Sequence, residues 1–253
     1  MFLGDHGPPF QRGKLSSYDM SLRVPFLIRW PGVGVPGARS TLVSSLDVYP
    51  TLVEAAGLDP VDSLHGRSLR PSLENPDATG REHLHAEFHL HSPGSFFPTR
   101  TVRNERYQLI HNLAAGSLPF PALTAGGDRG LRAARDPSNA DSPAADAWDT
   151  FENPPEFELY DLRADPFEWT NLAGDSRYEE VFEELESELV RWRRATEDPL
   201  LDPSEVHAMA VRFARQRDRL VAPAVAALVI LVVIGSLLGR LRRKGRLSPS
   251  DAG

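Results

Sequence analysis

Hydrophobic and polar positions change period several times along this chain, and each change marks an element. Met1–Gly4 opens apolar and reads as the end of a buried parallel strand. Val24–Trp30 is a second apolar run, closed by Pro31-Gly32. Leu46–Gly57 follows the polar pair Ser44-Ser45 and stops at a glycine, which predicts a short amphipathic helix with Pro50 near its first turn. Ser63–Leu73 is a connector and Asn75–Gly80 an exposed turn. Leu84–Leu90 alternates with a period of two, as a strand does. Thr99–Arg103 and Arg106–Asn112 flank Asn104-Glu105 as a hairpin, and Phe157–Leu162 is a further strand. Glu179–Thr196 puts Val181, Leu185, Leu189 and Trp192 on one helical face. Its acids gather toward the N-terminus, where they suit the macrodipole.

Between these elements the period fades. Residues 114–156 are rich in Ala, Gly, Pro and Asp and read as a loop insert, a candidate lid. Residues 199–219 read as a charged stalk. Leu220–Gly239 is twenty residues without a charge, long enough at 1.5 Å per residue to span roughly 30 Å of hydrocarbon, and predicts a single transmembrane helix. Residues 240–253 form a basic tail. The flanks carry Arg240, Arg242, Arg243, Lys244 and Arg246 on one side and Arg212, Arg215, Arg217 and Arg219 on the other. That bias leans toward a cytoplasmic tail and an extracytoplasmic main body.

A length of 253 residues allows one large domain or one medium domain with appendages. The net charge of -7 gives no reason to expect a nucleic-acid partner. The absence of cysteine excludes disulfides and thiolate metal ligands. Lysine occurs only at Lys14 and Lys244; every other cation among the 28 is arginine.

The densest chemistry lies at the start. Asp5-His6-Gly7-Pro8-Pro9 puts a carboxylate and an imidazole in a turn after a strand, with the ammonium of Lys14 nine residues beyond Asp5. A carboxylate is the oxygen ligand that Ca²⁺ or Mg²⁺ prefers. This segment resembles the second metal-binding motif of the sulfatases of the alkaline phosphatase superfamily, in particular the heparan N-sulfatase branch. Further pieces follow in the family's order: Leu46-Asp47-Val48-Tyr49-Pro50-Thr51-Leu52, Gly66-Arg67-Ser68-Leu69, Arg106-Tyr107-Gln108-Leu109-Ile110, and Glu158–Leu162 with Asp165-Pro166 and Asn171-Leu172-Ala173. The resemblance covers residues 1–198. It implies an α/β fold, the C-terminal part of an alkaline-phosphatase-like sandwich plus a small antiparallel sheet packed on a helix.

The resemblance also assigns roles. Asp5 and His6 would be ligands of Ca²⁺ (or Mg²⁺), with a hydrogen bond from His6 to the sulfate as the alternative. Lys14 would contact the sulfate. The family's nucleophile is a formylglycine made from Cys or Ser in a Cys/Ser-x-Pro/Ala-x-Arg motif. No such motif occurs here; the nearest, Ser63-Leu64-His65-Gly66-Arg67, has His in the middle. The chain therefore reads as a membrane-anchored C-terminal portion of a sulfuric ester or sulfamate hydrolase, inactive alone. A partner chain of a split enzyme, completed by the missing N-terminal half, is an alternative. So are a non-catalytic tethered remnant and another hydrolase or transferase of the superfamily. Outside the motif, His89 and His91 are expected beside Glu87 on one side of their strand, as a substrate wall or second metal site. Arg100 and Arg103 are candidates for a sulfate or uronate. The expected partners are a sulfated small molecule or carbohydrate, and the lipid bilayer.

Overall fold

A computed structural model describes residues 1–10, 12–59, 62–91, 95–118, 132–133, 135–216 and 219. A four-stranded antiparallel sheet organises the C-terminal part. Its strands β3 (Leu84–Phe88), β4 (Thr99–Arg103), β5 (Tyr107–Asn112) and β6 (Phe157–Asp161) lie in that spatial order. Cross-strand partners such as His85↔Val102, Val102↔Leu109 and Leu109↔Leu159 form one continuous row.

That row is the apolar face. The helix Glu179–Ala195 packs across it and sets Leu185 and Leu189 against Val102, Leu109 and Leu159, all at most 1% exposed. Each such side chain contributes about 1.5–3 kcal/mol by leaving water. His85 stacks on Trp192 with ring centroids 4.9 Å apart and meets the Glu188 carboxylate at 3.0 Å, so the helix also reaches the edge strand.

The opposite face holds Thr99, Gln108, Asn112, Glu158 and Tyr160, all buried. Tyr18, Trp148 and Phe151 close over its aromatic part around Ile110. Trp148 and Phe151 belong to a helix, Pro143–Glu152, inside the segment expected to be a loop insert. Ser142 caps it, its hydroxyl accepting the Ala145 N–H at 3.2 Å, and Pro143 occupies the first turn. Ten residues are too few for a visible period, and burial of one side stabilises the helix instead.

Two further expectations are revised. Phe2–Leu3 (β1) pairs antiparallel with Phe26–Leu27 (β2), not parallel, because the intervening chain doubles back and Gly4 N–H donates to Pro25 O at 3.0 Å. Phe2 and Leu27 are 64% and 65% exposed. Part of the expected stalk packs on the domain: residues 203–216 are helical. Leu200 and Val206 are buried with Phe97 and Ala114, and Phe213 lies 5.1 Å from Phe96. Among the described residues no helix is long and apolar enough to cross a membrane; Leu220–Gly239 and the tail lie outside them.

In chain order between β2 and β3, the helix Val48–Ala55 continues a 3₁₀ turn at Ser45–Asp47. The Asp47 carboxylate is buried there, accepting the Ser44 and Arg67 N–H groups at 2.8 and 2.9 Å and a bond from Arg81. Gly66 is required beside it: a Cβ would meet Leu46 O at 2.0 Å.

Candidate functional site

The described residues from Gly4 to Tyr18 form a loop folded upon itself that runs into a helical turn at Asp19–Leu22, held by backbone bonds and two close glycines. Gly7 N–H donates to Ser21 O at 3.1 Å, and a Cβ on Gly7 would meet Met20 O at 2.1 Å. Lys14 N–H donates to Pro8 O at 2.8 Å, and a Cβ on Gly13 would meet the same oxygen at 2.3 Å. The spacing between Asp5 and Lys14 is thus folded back through this turn. Arg12 and Leu15 bracket Lys14 in the left-handed region, at φ 60° and 74°. Such conformations cost of order 1–3 kcal/mol each and persist only where the surroundings enforce them.

At the loop's exposed end the Asp5 carboxylate is 88% exposed. His6 Nε2 faces it at 3.4 Å, while Nδ1 donates to Gly7 O at 2.7 Å. That second bond fixes which imidazole nitrogen points outward. Asp5 and His6 are adjacent and accessible, and Lys14 is half-buried in the same loop. These two side chains supply one carboxylate and one nitrogen, against the six to eight oxygens Ca²⁺ takes. No group of three or more His, Asp or Glu among the described residues is arranged to hold a metal ion. The donor set by itself does not complete a cation site.

Beneath the loop lies a buried polar layer that the sequence did not announce. Arg12 lays its guanidinium 3.8 Å from the Tyr18 ring centroid and donates to Ala147 O at 2.9 Å and to Glu168 O. Tyr18 and Tyr160 hydroxyls both donate to Glu158 Oε2, at 2.8 and 2.5 Å, and Asn112 donates to Oε1 at 2.7 Å. Glu168 accepts the Asp19 N–H at 2.8 Å and the Gln108 amide at 2.7 Å. Its own backbone is left-handed, at φ 57°, which turns the carboxylate inward while Phe167 and Trp169 stay exposed. Burial pushes the Glu168 carboxyl up to about 8, against the opposing pull of Arg12 and the Asp19 N–H. The one sequence signal was a charge between two aromatics that end up on the surface.

The remaining candidates lie on the other side of the sheet. β3 ends at Phe88, so its alternation does not carry through to His91. His89 Nε2 is 3.9 Å from Glu87, and burial with the nearby Arg100 charge lowers its pKa. His91 is exposed, its N–H bonded to Ser95 Oγ at 3.0 Å. Arg100, expected to meet a sulfate or uronate, is fully buried. Its guanidinium grips Asp198 through two bonds of 2.9 and 2.6 Å and donates to Thr99 O. Arg193 bonds the same carboxylate at 2.6 Å. Burial opposes the Asp198 charge, but the bonds from Arg100, Leu200 N–H and Arg193 outweigh it and hold the carboxyl at about 2. Arg100 faces inward because, two residues from Val102, it lies on the same face of β4, opposite Glu87. Arg103, on the opposite face, binds Asp19 of the Lys14 loop.

By sequence this chain belongs with the sulfatases and corresponds to their C-terminal portion. Residues 4–117 match the family described as N-sulphoglucosamine sulphohydrolase, C-terminal, a span that contains the whole Asp5–Lys14 loop. An ulvan-active sulfatase of Formosa agariphila is 31% identical over 211 residues, covering 79% of this chain and 38% of its own length. Human N-sulphoglucosamine sulphohydrolase is 28% identical over 224 residues, covering 79% and 42%. A solved 2-O GAG sulfatase shares the fold with a TM-score of 0.54 at 24% identity, covering 76% of this chain and 35% of that one. The chain thus spans about two fifths of the length of the curated relatives named here.

Proposed function

We propose that the chain acts as the C-terminal portion of a sulfatase that hydrolyses a sulfated carbohydrate. Lys14 would neutralise the sulfate oxygens as the S–O or S–N bond breaks. Preorganised charge of this kind is usually the largest catalytic term. Asp5, with His6 beside it, would give the cation one edge of its coordination shell. The observation that carries this reading is the Asp5–Lys14 loop, folded around Gly7 and Gly13 so that the Lys14 backbone returns to Pro8, three residues beyond Asp5. Relatives named for ulvan and for N-sulphoglucosamine support a polysaccharide substrate. With no Cys and no Ser in a formylglycine motif, the nucleophile must come from polypeptide outside this sequence.

Aryl sulfate turnover tests this directly. The chain alone should be silent, and a formylglycine-bearing N-terminal sulfatase portion added in trans should bring activity. Turnover by the chain alone, above that of a Lys14→Ala control, would refute the assignment of the nucleophile.

The proposal includes anchorage through Leu220–Gly239, supported by its twenty uncharged residues. An Asp at the centre of an inserted helix costs about 2.5–3.5 kcal/mol. Val229→Asp with Val232→Asp should therefore release the chain from membranes. Retention of that double variant after carbonate washing would rule the anchor out.

A further inference from the structure

Lys14 sits between two segments of loop that are held down at Arg12 and at Asp19, and a single residue grips both. Glu168 O accepts from the Arg12 guanidinium; Glu168 Oε2 accepts the Asp19 N–H at 2.8 Å. Its other carboxylate oxygen is tied to the sheet through the Gln108 amide at 2.7 Å, and that amide also donates to Ser17 O at 3.0 Å. Between the two grips, Lys14 N–H bonds Pro8 O and Ser16 Oγ bonds Gly13 O, both short-range, and Ser17 Oγ meets Thr99 Oγ1 of the sheet at 2.5 Å. The left-handed backbone at Arg12 and Leu15 needs an outside constraint to persist. Glu168 itself is left-handed and 2% exposed, although its sequence neighbours Phe167 and Trp169 are 57% and 41% exposed. A backbone turned against preference to bury a carboxyl under a surface loop serves that loop.

We propose that Glu168 is the positioning residue for Lys14, clamping both ends of the loop 12–19 to the sheet so that the ammonium is presented beside Asp5 and His6. Glu168 touches no substrate; it acts through Arg12 and Asp19. This rests on the reading of Lys14 as the sulfate contact, and the test separates the two.

The chain contains only two lysines, so reductive methylation with ¹³C-formaldehyde, which keeps the charge, gives Lys14 its own NMR signal with Lys244 as an internal reference. The full chain is titrated with sodium sulfate against sodium chloride at equal ionic strength. In Glu168→Gln, whose NH2 would confront either the Asp19 N–H or the Gln108 amide with a second donor, the Lys14 signal should move toward that of Lys244. Half-saturation should then need at least tenfold more sulfate, while amide protection in β4 and β5 is kept. An unmoved Lys14 signal with an unchanged sulfate titration overturns the proposal. Should Glu168→Gln fail to fold, Arg12→Gln cuts the same clamp from the loop side, and a Lys14 signal indifferent to it overturns the proposal equally. A wild-type signal that ignores sulfate sinks the sulfate reading of Lys14, and the variant shift then decides the positioning by itself.

Discussion

Replacing Asp198 by Ala should be among the most damaging single changes to this domain. The carboxylate is 8% exposed by residue and shared by two guanidinium groups, Arg100 at 0% and Arg193 at 5%. Its removal leaves both cations buried, one stripped of two bonds and the other of one. Breaking a buried pair in this way costs about 3–5 kcal/mol, most of it the penalty of an uncompensated charge. At about 2–4 °C per kcal/mol for a chain of this size, the melting temperature should fall by roughly 10 °C. Urea titration followed by circular dichroism measures it, with the slope checked for two-state behaviour. Replacing the triad together, as Arg100→Met, Arg193→Met and Asp198→Leu, should recover most of the loss, since apolar replacement of a whole buried network is often nearly neutral. A cost below about 1 kcal/mol for Asp198→Ala would refute the burial reasoning and reopen Arg100 as a group free to bind a ligand.

Three further outcomes follow from the loop and the layer beneath it. Gly7→Ala should destabilise by about 1–3 kcal/mol, because a Cβ 2.1 Å from Met20 O forces the backbone apart; thermal melting that is unchanged would contradict the close approach. Glu168 is raised to about 8 when folded against about 4.3 unfolded, so the native state holds the extra proton between those values. Its contribution is therefore full below pH 4.3 and is lost as pH rises through 8, in a layer it shares with Arg12, Asp19, Glu158 and Tyr18; Glu168→Gln should flatten that stretch of the stability–pH curve. Calorimetry should find Ca²⁺ binding by the chain alone no tighter than about millimolar, since Asp5 and His6 offer so few of six to eight ligands, and micromolar binding indifferent to Asp5→Ala would mean a different site.

The strands of the four-stranded sheet and the long helix were legible because their side chains obey one period throughout. Val102, Leu109 and Leu159 face one way and meet Leu185 and Leu189, and the residue types alone announce that packing. The helix at Pro143–Glu152 was not legible, because its ten residues carry only three buried side chains, Ala147, Trp148 and Phe151. The buried polar layer was hidden for a different reason. Glu158 and Glu168, like Arg100 across the sheet, are ionisable, and composition places such groups outside; only their partners across the fold make burial tolerable. Asp5, His6 and Lys14 could be singled out by motif, and Arg12 could not, because its partners Ala147 and Glu168 stand more than a hundred positions away.

The measurement closest to the central claim is the specificity constant for sulfate release from a sulfated saccharide, comparing wild type with Lys14→Ala in the chain combined with a formylglycine-bearing N-terminal portion. The ammonium lies in a loop whose shape is set by Gly7, Gly13 and the layer beneath it, so its removal should leave the melting temperature unchanged. Loss of one preorganised charge at the reacting group should lower kcat, and with it kcat/KM, by about 10²–10³-fold. Equal turnover by Lys14→Ala, with the fold intact, would show that the ammonium does not face the sulfate.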